Sequence, residues 1–394
     1  MWSELAPVGR HGGTGGYRRY AWTGEDATLR DWFAGESARR GMDLVEDRAG
    51  NQWAWWCPDA RTPGPDNPGL VIGSHLDSVP DGGAFDGPLG VVSALAALDA
   101  LRADGFEPTR PIAVVQFGDE EGARFGVACA GSRLITGLLG ADRARGLTDA
   151  DGVSMAEAVR RAGRDPVAIG PDPETLMRIG AFVELHVEQG RGLADTDQPV
   201  AVGSGIWPHG RWLLDLPGEA NHAGTTRLVD RQDPMLVLAE AILQARRAAT
   251  AHGVLATVGK VSVEPNAVNA VPSRVRAWLD ARGPVTGDVQ AVVAELTTLA
   301  ETAGGAVSQE SWTPATSFDI GLRQRISELL PQAPALATGA GHDAGVLAEA
   351  GIPSAMLFVR NPTGVSHSPA EFAERDDCLA GVAALTTVVR GLAS

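Results

Sequence analysis

The stretch LVIGSHLDSVPDGGAFDGPLGVVSALAAL, residues 70–98, predicts how the chain folds. It begins with a short apolar run, Leu70 to Gly73, which is typical of a buried strand. Polar residues and glycines follow, and the apolar segment from Gly90 to Leu101 then predicts a buried helix. A buried strand that leads through a polar loop into a helix is the repeating unit of an α/β sheet.

The same order of strand and polar cluster recurs further along the chain. Ile112 to Phe117 predicts a second buried strand, which ends at the sequence GDEE (118–121). Gly180 to Leu185 predicts a third, which ends at His186. Ligands of α/β sheets bind beyond the carboxyl ends of the strands, so we expect these polar clusters to meet at one edge.

From about residue 208 the pattern changes to strand–helix–strand–strand–helix–strand, which matches a ferredoxin-like plan. After Phe318 the α/β pattern resumes, with a strand at Ser354 to Val359. We therefore expect a discontinuous catalytic domain, 1–207 with 315–394, that has a mixed, mostly parallel sheet and helices on both faces. An inserted α+β domain would span 208–314. The predicted elements of the insertion are Trp212–Leu216, Pro234–Ala249, Leu255–Val263, Ser273–Asp280, Thr286–Thr302 and Ala306–Thr313.

Residues 1–65 are interpreted as a helical, Trp-rich opening, in which Asp26 to Arg40 has helical spacing. A proline-rich stretch from Pro58 to Pro68 follows and predicts a loop.

Composition narrows the class of protein. The chain has 394 residues with 49 acidic and 33 basic side chains, and its formal net charge of −16 disfavours nucleic acid and anionic membranes as partners. The sequence contains no apolar run of about 18 residues, so we expect no membrane span. Three cysteines without a CxxC pair favour neither a disulfide framework nor a Cys-rich zinc site. With no apolar signal segment at the N-terminus, we expect a cytoplasmic protein.

The first polar loop holds candidate metal ligands. His75 follows the first strand, and Asp77 has the spacing to accept the ring N–H of a ligating histidine and fix its tautomer. Asp86 lies among glycines, which let the backbone approach a ligand closely. The alternatives are a structural histidine and a turn aspartate.

The later clusters add carboxylates and histidines. The adjacent carboxylates of Glu120 and Glu121 repel each other unless a cation lies between them or one holds a proton. They predict one metal ligand and one general base, with a solvated loop as the alternative. Together with His186 and His367 they form an N/O ligand set, which suits zinc, manganese, nickel or cobalt. The set exceeds the needs of one tetrahedral ion and predicts a two-metal site with a bridging carboxylate.

Seven motifs resemble those of the M20-type di-metal amidohydrolases, and most closely the hydantoinase/carbamoylase branch, which holds N-carbamoyl-L-amino-acid hydrolases, allantoate amidohydrolases and β-ureidopropionases. Gly-Pro-Leu-Gly follows Asp86, where the peptidase branch usually has Asp-Met-Lys-Gly, and this difference favours the amidohydrolases. The motifs follow the family's order: GSHLDSVPDGGAFDGPLG (73–90), GDEEGARFG (118–126), ELHVEQG (184–190), GEANHAGTT (218–226), NAVPSRVRAWLDAR (269–282), GAGHDA (339–344) and GVSHSPAEF (364–372).

The resemblance implies two divalent metal ions, zinc or manganese with cobalt or nickel as alternatives. Asp86 would bridge them. His75 and His186 would complete the first site, and Glu121 and His367 the second.

The resemblance also implies a base and a set of substrate contacts. Glu120 would take a proton from the attacking water and later give one to the leaving nitrogen. His222 would stabilise the oxyanion, Gln189 would contact the carbamoyl or ureido end, and Asn269 and Arg282 would bind the substrate carboxylate. The alternatives are a structural role for His222 and a surface ion pair for Arg282. The inserted domain would act as a lid and form a homodimer.

Two positions depart from the family. Arg227 stands where members usually have Pro-Met after the GTT sequence, and Arg360 stands near a loop that is often neutral. Both are interpreted either as contacts to a second substrate carboxylate or as plain surface charges.

The sequence thus predicts metal-dependent hydrolysis of a linear C–N bond in a small carboxylate. Allantoate is the first expected substrate, N-carbamoyl-L-amino acids the second, and an N-formyl or formimino derivative of glutamate the third. An M20 peptidase and a non-catalytic binding protein are the remote alternatives, and the presence of every expected ligand and of Glu120 argues against the second.

Overall fold

A computed structural model describes residues 1–57 and 62–394, so Pro58, part of the predicted proline-rich loop, lies outside the described residues. The chain forms two compact units, Met1–Gly205 with Ser317–Ser394, and Ile206–Thr316. The insertion predicted at 208–314 falls inside the second unit.

The first unit is built on a nine-stranded mixed sheet with the order β1-β2-β4-β3-β5-β15-β6-β13, in which β14 pairs with β6. The central strands β4, β3, β5 and β15 are mutually parallel, and β1, β2 and β6 add antiparallel pairs. The strands are β1 (Asp43–Glu46), β2 (Gln52–Trp56), β3 (Gly69–His75), β4 (Ile112–Phe117), β5 (Ile179–Val187), β6 (Val200–Ile206), β13 (Thr316–Ser317), β14 (Ala335–Thr338) and β15 (Ser354–Val359).

Helices cover both faces of this sheet. Helices α3 and α13 pack on the face that carries Leu185 and Leu357. The opposite face, reached by the two-residue period of a strand, carries His186 and packs against α12. The helices of the unit are α1 (Trp2–Leu5), α2 (Gly24–Arg39), α3 (Pro88–Ala103), α4 (Ala130–Thr136), α5 (Ala141–Gly146), α6 (Met155–Arg161), α7 (Pro173–Leu176), α8 (Gly192–Thr196), α11 (Ile320–Leu329), α12 (Asp343–Glu349) and α13 (Arg375–Leu392).

The second unit has a four-stranded antiparallel sheet with the order β12-β7-β11-β9 and two long helices. Numbered within the unit, that order is 4-1-3-2, the arrangement of a βαββαβ ferredoxin-like fold. Two short strands, β8 and β10, form a separate pair. The elements are β7 (His209–Pro217), β8 (Asn221–His222), α9 (Pro234–His252), β9 (Leu255–Glu264), β10 (Ala270–Val271), β11 (Arg274–Arg282), α10 (Thr286–Thr302) and β12 (Ala306–Thr313).

The predicted helical opening is wrong in part. Helix α2 forms as predicted, but β1 and β2 follow it as an antiparallel pair. Four of the five residues of β2, QWAWW, are buried, so the strand lacks the alternation of apolar and polar residues that predicts a half-buried strand. No helix in the described part of the chain is long and apolar enough to cross a membrane.

Candidate metal centre

The predicted site residues of the first unit meet at one edge of its sheet. His75 is the last residue of β3, and Glu120 and Glu121 follow the end of β4. His186 lies near the end of β5, and His367 lies in the loop after β15. These four strands are parallel neighbours, so their carboxyl ends bring the loops together, as the sequence predicts.

The first group of side chains consists of His75, Asp86 and His186. All three are buried, and their candidate ligand atoms lie within 4.8 Å of one another. The Asp86 Oδ1 atom is 3.1 Å from His186 Nε2 and 3.6 Å from His75 Nε2. A carboxylate and two imidazoles at these distances fit a divalent ion between them.

The tautomers of the two histidines suit this role. His75 Nδ1 is 3.2 Å from the carbonyl oxygen of Asp77, and His186 Nδ1 is 2.8 Å from that of Val187. A carbonyl only accepts, so each Nδ1 carries the proton and each Nε2 keeps its lone pair. Both Nε2 atoms are buried and have no hydrogen-bond partner among the described residues. A metal ion would satisfy both atoms at once.

The second group is Asp86, Glu121 and His367, whose candidate ligand atoms also lie within 4.8 Å of one another. His367 Nε2 is 3.5 Å from Asp86 Oδ2 and 3.6 Å from Glu121 Oε2. Asp86 therefore presents one oxygen to each group, which is the geometry of a bridging ligand. Gln189 also lies here, with its Nε2 atom 2.9 Å from Asp86 Oδ2 and 3.2 Å from His367 Nε2.

Glu120 lies beside the two groups. Its Oε2 atom is 3.8 Å from His75 Nε2, and its Oε1 atom accepts a hydrogen bond from the Cys129 thiol at 3.3 Å. The Asp77 carboxylate accepts the backbone N–H groups of Glu120 at 3.2 Å and Glu121 at 3.0 Å. Asp77 thus orders the carboxylate pair besides lying 3.4 Å from His75 Nδ1.

The buried acidic groups of the cluster favour the binding of positive ions. Burial and the nearby Asp86 carboxylate raise the pKa of Glu121 to about 8. Burial also raises the pKa of Glu120 well above its ordinary value. Burial lowers the pKa of the His75 imidazole, but Glu120 and Asp77 outweigh burial and raise that pKa well above its ordinary value. The Glu121 carboxyl would hold a proton at neutral pH, and a divalent cation can replace such a proton among buried carboxylates.

Further polar residues, which the resemblance does not name as ligands, lie around the centre. Glu371 is buried beside Asp86, and Cys129 is buried beside Glu120. His342 packs its ring on His186 with 4.6 Å between ring centroids, and Asp343 accepts a hydrogen bond from Ser132 at 2.5 Å. The only signal for Glu371 is its place four residues after His367 in the GVSHSPAEF motif.

In the second unit, His222 lies on β8, and Asn269 directly precedes the strand β10 that pairs with β8. His222 pairs with Ala270 across β8 and β10, and the Asn269 carbonyl accepts the N–H of Ala223 at 2.9 Å. The Gly224 N–H donates to His222 Nδ1 at 3.0 Å, so the ring proton is on Nε2. His222 therefore presents an N–H donor, the group that an oxyanion needs.

Arg282 is not close to Asn269 within the same copy of this unit. Arg282 is the last residue of β11. The first residue of that strand, Arg274, closely follows β10, so Asn269 belongs to the opposite end of β11. Eight residue steps along a strand correspond to about 27 Å. The Arg282 guanidinium donates to both carboxylate oxygens of Asp280, at 2.8 and 2.6 Å.

Both cations that depart from the family pattern have partners within the chain. Arg227 forms a two-pronged pair with Asp230 at 2.6 and 3.0 Å. Arg360 binds Asp377 at 2.8 and 2.9 Å and Asp197 at 2.6 Å. These contacts support the interpretation of both arginines as ion-paired surface charges rather than as contacts to a second substrate carboxylate.

The fold and the paired ligand groups define a class of metallohydrolase. The chain belongs to the peptidase family M20/M25/M40, whose model matches residues 71–391. This family is a class of dinuclear metal enzymes, and the two groups that share Asp86 agree with that class.

Within the family, the chain is similar to N-carbamoyl-L-amino acid and allantoate amidohydrolases. It is 36% identical to the N-carbamoyl-L-amino acid amidohydrolase of Geobacillus stearothermophilus, over 100% of this chain and 98% of the relative. It is 31% identical to the allantoate amidohydrolase of Escherichia coli, over 96% and 93%. A solved hydantoinase/carbamoylase-family amidase from Burkholderia multivorans superposes with a TM-score of 0.86 at 29% identity, over 100% and 96%. The chain is therefore a hydrolase of C–N bonds in linear amides other than peptides.

Proposed function

We propose that this chain hydrolyses the ureido C–N bond of a small carboxylate, with allantoate as the first substrate. The observation that supports this most directly is the pair of ligand groups that share Asp86 beside Glu120. N-carbamoyl-L-amino acids are the second candidate, favoured by the 36% identity to the Geobacillus relative against 31% for the allantoate enzyme.

In this proposal, zinc or manganese would be held by the two groups, with cobalt or nickel as alternatives. The ions, when bound, supply positive charge that acidifies water and polarises the scissile carbonyl. Glu120 accepts the proton of the attacking water and passes it to the leaving nitrogen. Burial raises the pKa of its carboxyl, which suits a group that must hold a proton between the two steps.

The remaining roles are given to residues around the carbonyl and the carboxylate of the substrate. The Nε2–H group of His222 donates a hydrogen bond to the developing oxyanion, which is worth about 10²–10³ in kcat for a single donor. Gln189, next to Asp86 and His367, contacts the ureido end. Asn269 and Arg282 bind the substrate carboxylate.

Asn269 and Arg282 lie toward opposite ends of β11, so one copy of the unit cannot offer both to the same carboxylate. We therefore propose a homodimer in which each carboxylate is bound by Arg282 of one copy and Asn269 of the other. Strand β9 is an edge of its sheet, and α9 exposes Leu236 and Leu243 seven residues apart on one face. A second copy would cover this edge and this face.

A complementation assay tests the shared site. Arg282→Ala and His222→Phe chains are each expected to lose most of their activity. His222 lies beside Asn269, so a mixed dimer should regain activity, because one of its two sites receives both intact residues. Mixing that restores nothing, in a protein that light scattering shows to be dimeric, would contradict the shared carboxylate site.

The reaction is tested on chelator-stripped protein reloaded with manganese, zinc, cobalt or nickel. The substrates are allantoate, N-carbamoyl-L-amino acids, N-formyl-L-glutamate and a dipeptide, with ammonia and free amine both recorded. Metal-dependent release of ammonia from allantoate is expected, and turnover of the dipeptide alone would contradict the proposal. Glu120→Gln is the matched variant: it should keep both ions and lose turnover by about 10²–10⁴-fold.

A further inference from the structure

Glu371 joins two loops that carry candidate ligands. Its side chain is only 5% exposed, although it comes from the C-terminal part of the chain. Its Oε1 atom accepts the backbone N–H groups of Phe85 at 2.8 Å and Asp86 at 2.9 Å. Two hydrogen bonds to consecutive amides fix the direction in which the backbone of Asp86 leaves the loop.

The loop around Asp86 is built to admit this carboxylate. A Cβ atom added at Gly83 would lie 2.3 Å from Glu371 Oε1 and 2.4 Å from its Cβ and Cδ atoms. The φ angle of Gly83 is not in the left-handed region, so the glycine is needed there for space rather than for conformation. Any larger residue at this position would displace Glu371.

The same carboxylate is tied to the loop of His367. The N–H of Glu371 donates to the Ser368 carbonyl at 3.0 Å, which closes the turn after His367. The Ser366 hydroxyl lies 3.2 Å from Asp86 Oδ2 and 3.4 Å from Glu371 Oε2, so it links the ligand and the tether. Asp86 and His367, which are 281 residues apart in sequence, thus share one anchor.

We propose that Glu371 is a positioning residue of the two-ion centre, which holds Asp86 and the His367 loop in ligating geometry without touching the ions. The inference rests on the proposed function, because it needs the two ions. Ligand atoms must lie within about 0.2 Å of their ideal distances, so a loop that drifts loses affinity for the ion. Removing such supporting groups typically costs 10–100-fold in metal affinity.

The test uses the full chain, stripped with a chelator and titrated with Mn²⁺ or Zn²⁺ by calorimetry. Glu371→Ala should weaken ion binding by about 10–100-fold, most at the site of His367. Glu371→Gln keeps the length and an oxygen that can accept both amides, so it should bind the ions close to normally. Glu374→Ala, at an exposed side chain that makes no helix-capping bond, is the matched control and should be normal.

A second variant covers the case in which Glu371→Ala fails to fold. Glu371→Asp keeps the charge but is one methylene shorter, so it should bind the ions more weakly than Glu371→Gln. A purely structural role would instead lower the melting temperature of stripped and metal-loaded protein alike, without changing the shift that metal produces. That result, normal affinity in the Ala variant, or Asp binding better than Gln, would overturn the inference.

The outcome is separable from that of the proposed function. If the unchanged chain binds no pair of ions or hydrolyses no ureide, the proposed function fails whatever the variants do. If it does both and the Glu371 variants bind ions normally, only the inference about Glu371 fails.

Discussion

Replacing Gly87 by alanine should damage the first ion site through one added carbon atom. Gly87 precedes α3 with φ +84° and ψ −61°, a conformation that costs an L-residue about 1–3 kcal/mol. The added Cβ would lie 2.4 Å from His75 Cε1, 2.5 Å from Nδ1 and 2.7 Å from Nε2. Carbon contacts normally begin near 3.5 Å, so the imidazole must move by about 1 Å.

A movement of that size exceeds the tolerance of a metal ligand, about 0.2 Å. We therefore expect Gly87→Ala to fold with reduced stability, to bind the first ion 10–100-fold more weakly and to lose about 10² in turnover. Gly105→Ala, just beyond the other end of α3, is the matched control. It also has a positive φ, +69°, but no atom lies within 4 Å of its added Cβ.

Calorimetric titration of both stripped variants, together with their melting temperatures, separates the effect of backbone strain from that of the contact between the added Cβ and His75. The control should lose stability and keep its ions. A folded Gly87→Ala protein that binds two ions with normal affinity would refute the assignment of His75 as a ligand held against Gly87.

Three further predictions concern other parts of the chain. Burial raises the pKa of Asp47 from 3.8 to about 6, so the folded carboxyl keeps a proton that the unfolded chain has lost, and stability falls as the pH rises from about 4 to 6. Asp47→Asn should remove about 3 kcal/mol of this dependence, measured as the difference in unfolding free energy from the unchanged chain at each pH. Arg360→Ala leaves buried Asp377 without its two-pronged partner and should lower the free energy of unfolding by roughly 1–3 kcal/mol, measured by chemical denaturation. The KM for allantoate should stay unchanged, and a raised KM would indicate that Arg360 contacts the substrate. His222→Phe should lower kcat by about 10²–10³ with both ions retained, and a loss confined to KM would contradict its role as an oxyanion donor.

The gathering of the candidate ligands could be predicted because it follows from topology. A buried apolar run sets each strand, and the parallel order of β4, β3, β5 and β15 places their carboxyl ends side by side. Residues at or shortly after the carboxyl ends of these strands, such as His75 and Glu121, are therefore brought to the same edge of the sheet. The order of strands and helices in the second unit could be predicted equally well, because apolar residues recur with different periods in strands and in helices.

The remaining features depend on contacts that leave no local pattern. The β1–β2 pair escaped prediction because β2 is buried on both faces and its tryptophans suit a helix or a strand equally. The partners of Arg360 lie 17 and 163 residues away, so its sequence neighbours do not show that it is already paired. Glu371 contacts backbone amides, which every residue has, and no spacing rule could point to Asp86 as its target.

Buried carboxylates serve this sheet edge in two ways. Asp77, Glu188 and Glu371 each accept two consecutive backbone N–H groups, so an acidic side chain fixes each loop. A carboxylate suits that task because its oxygens accept several bonds and its charge strengthens each of them. Asp77 and Glu371 also add negative charge next to Asp86 and Glu121, and burial with Asp86 raises the pKa of Glu371 to about 7. The carboxylates that fix the loops thus also increase the electrostatic repulsion within the site, and divalent ions relieve this repulsion. We therefore expect that a change which disorders the loops also lowers the affinity for the ions.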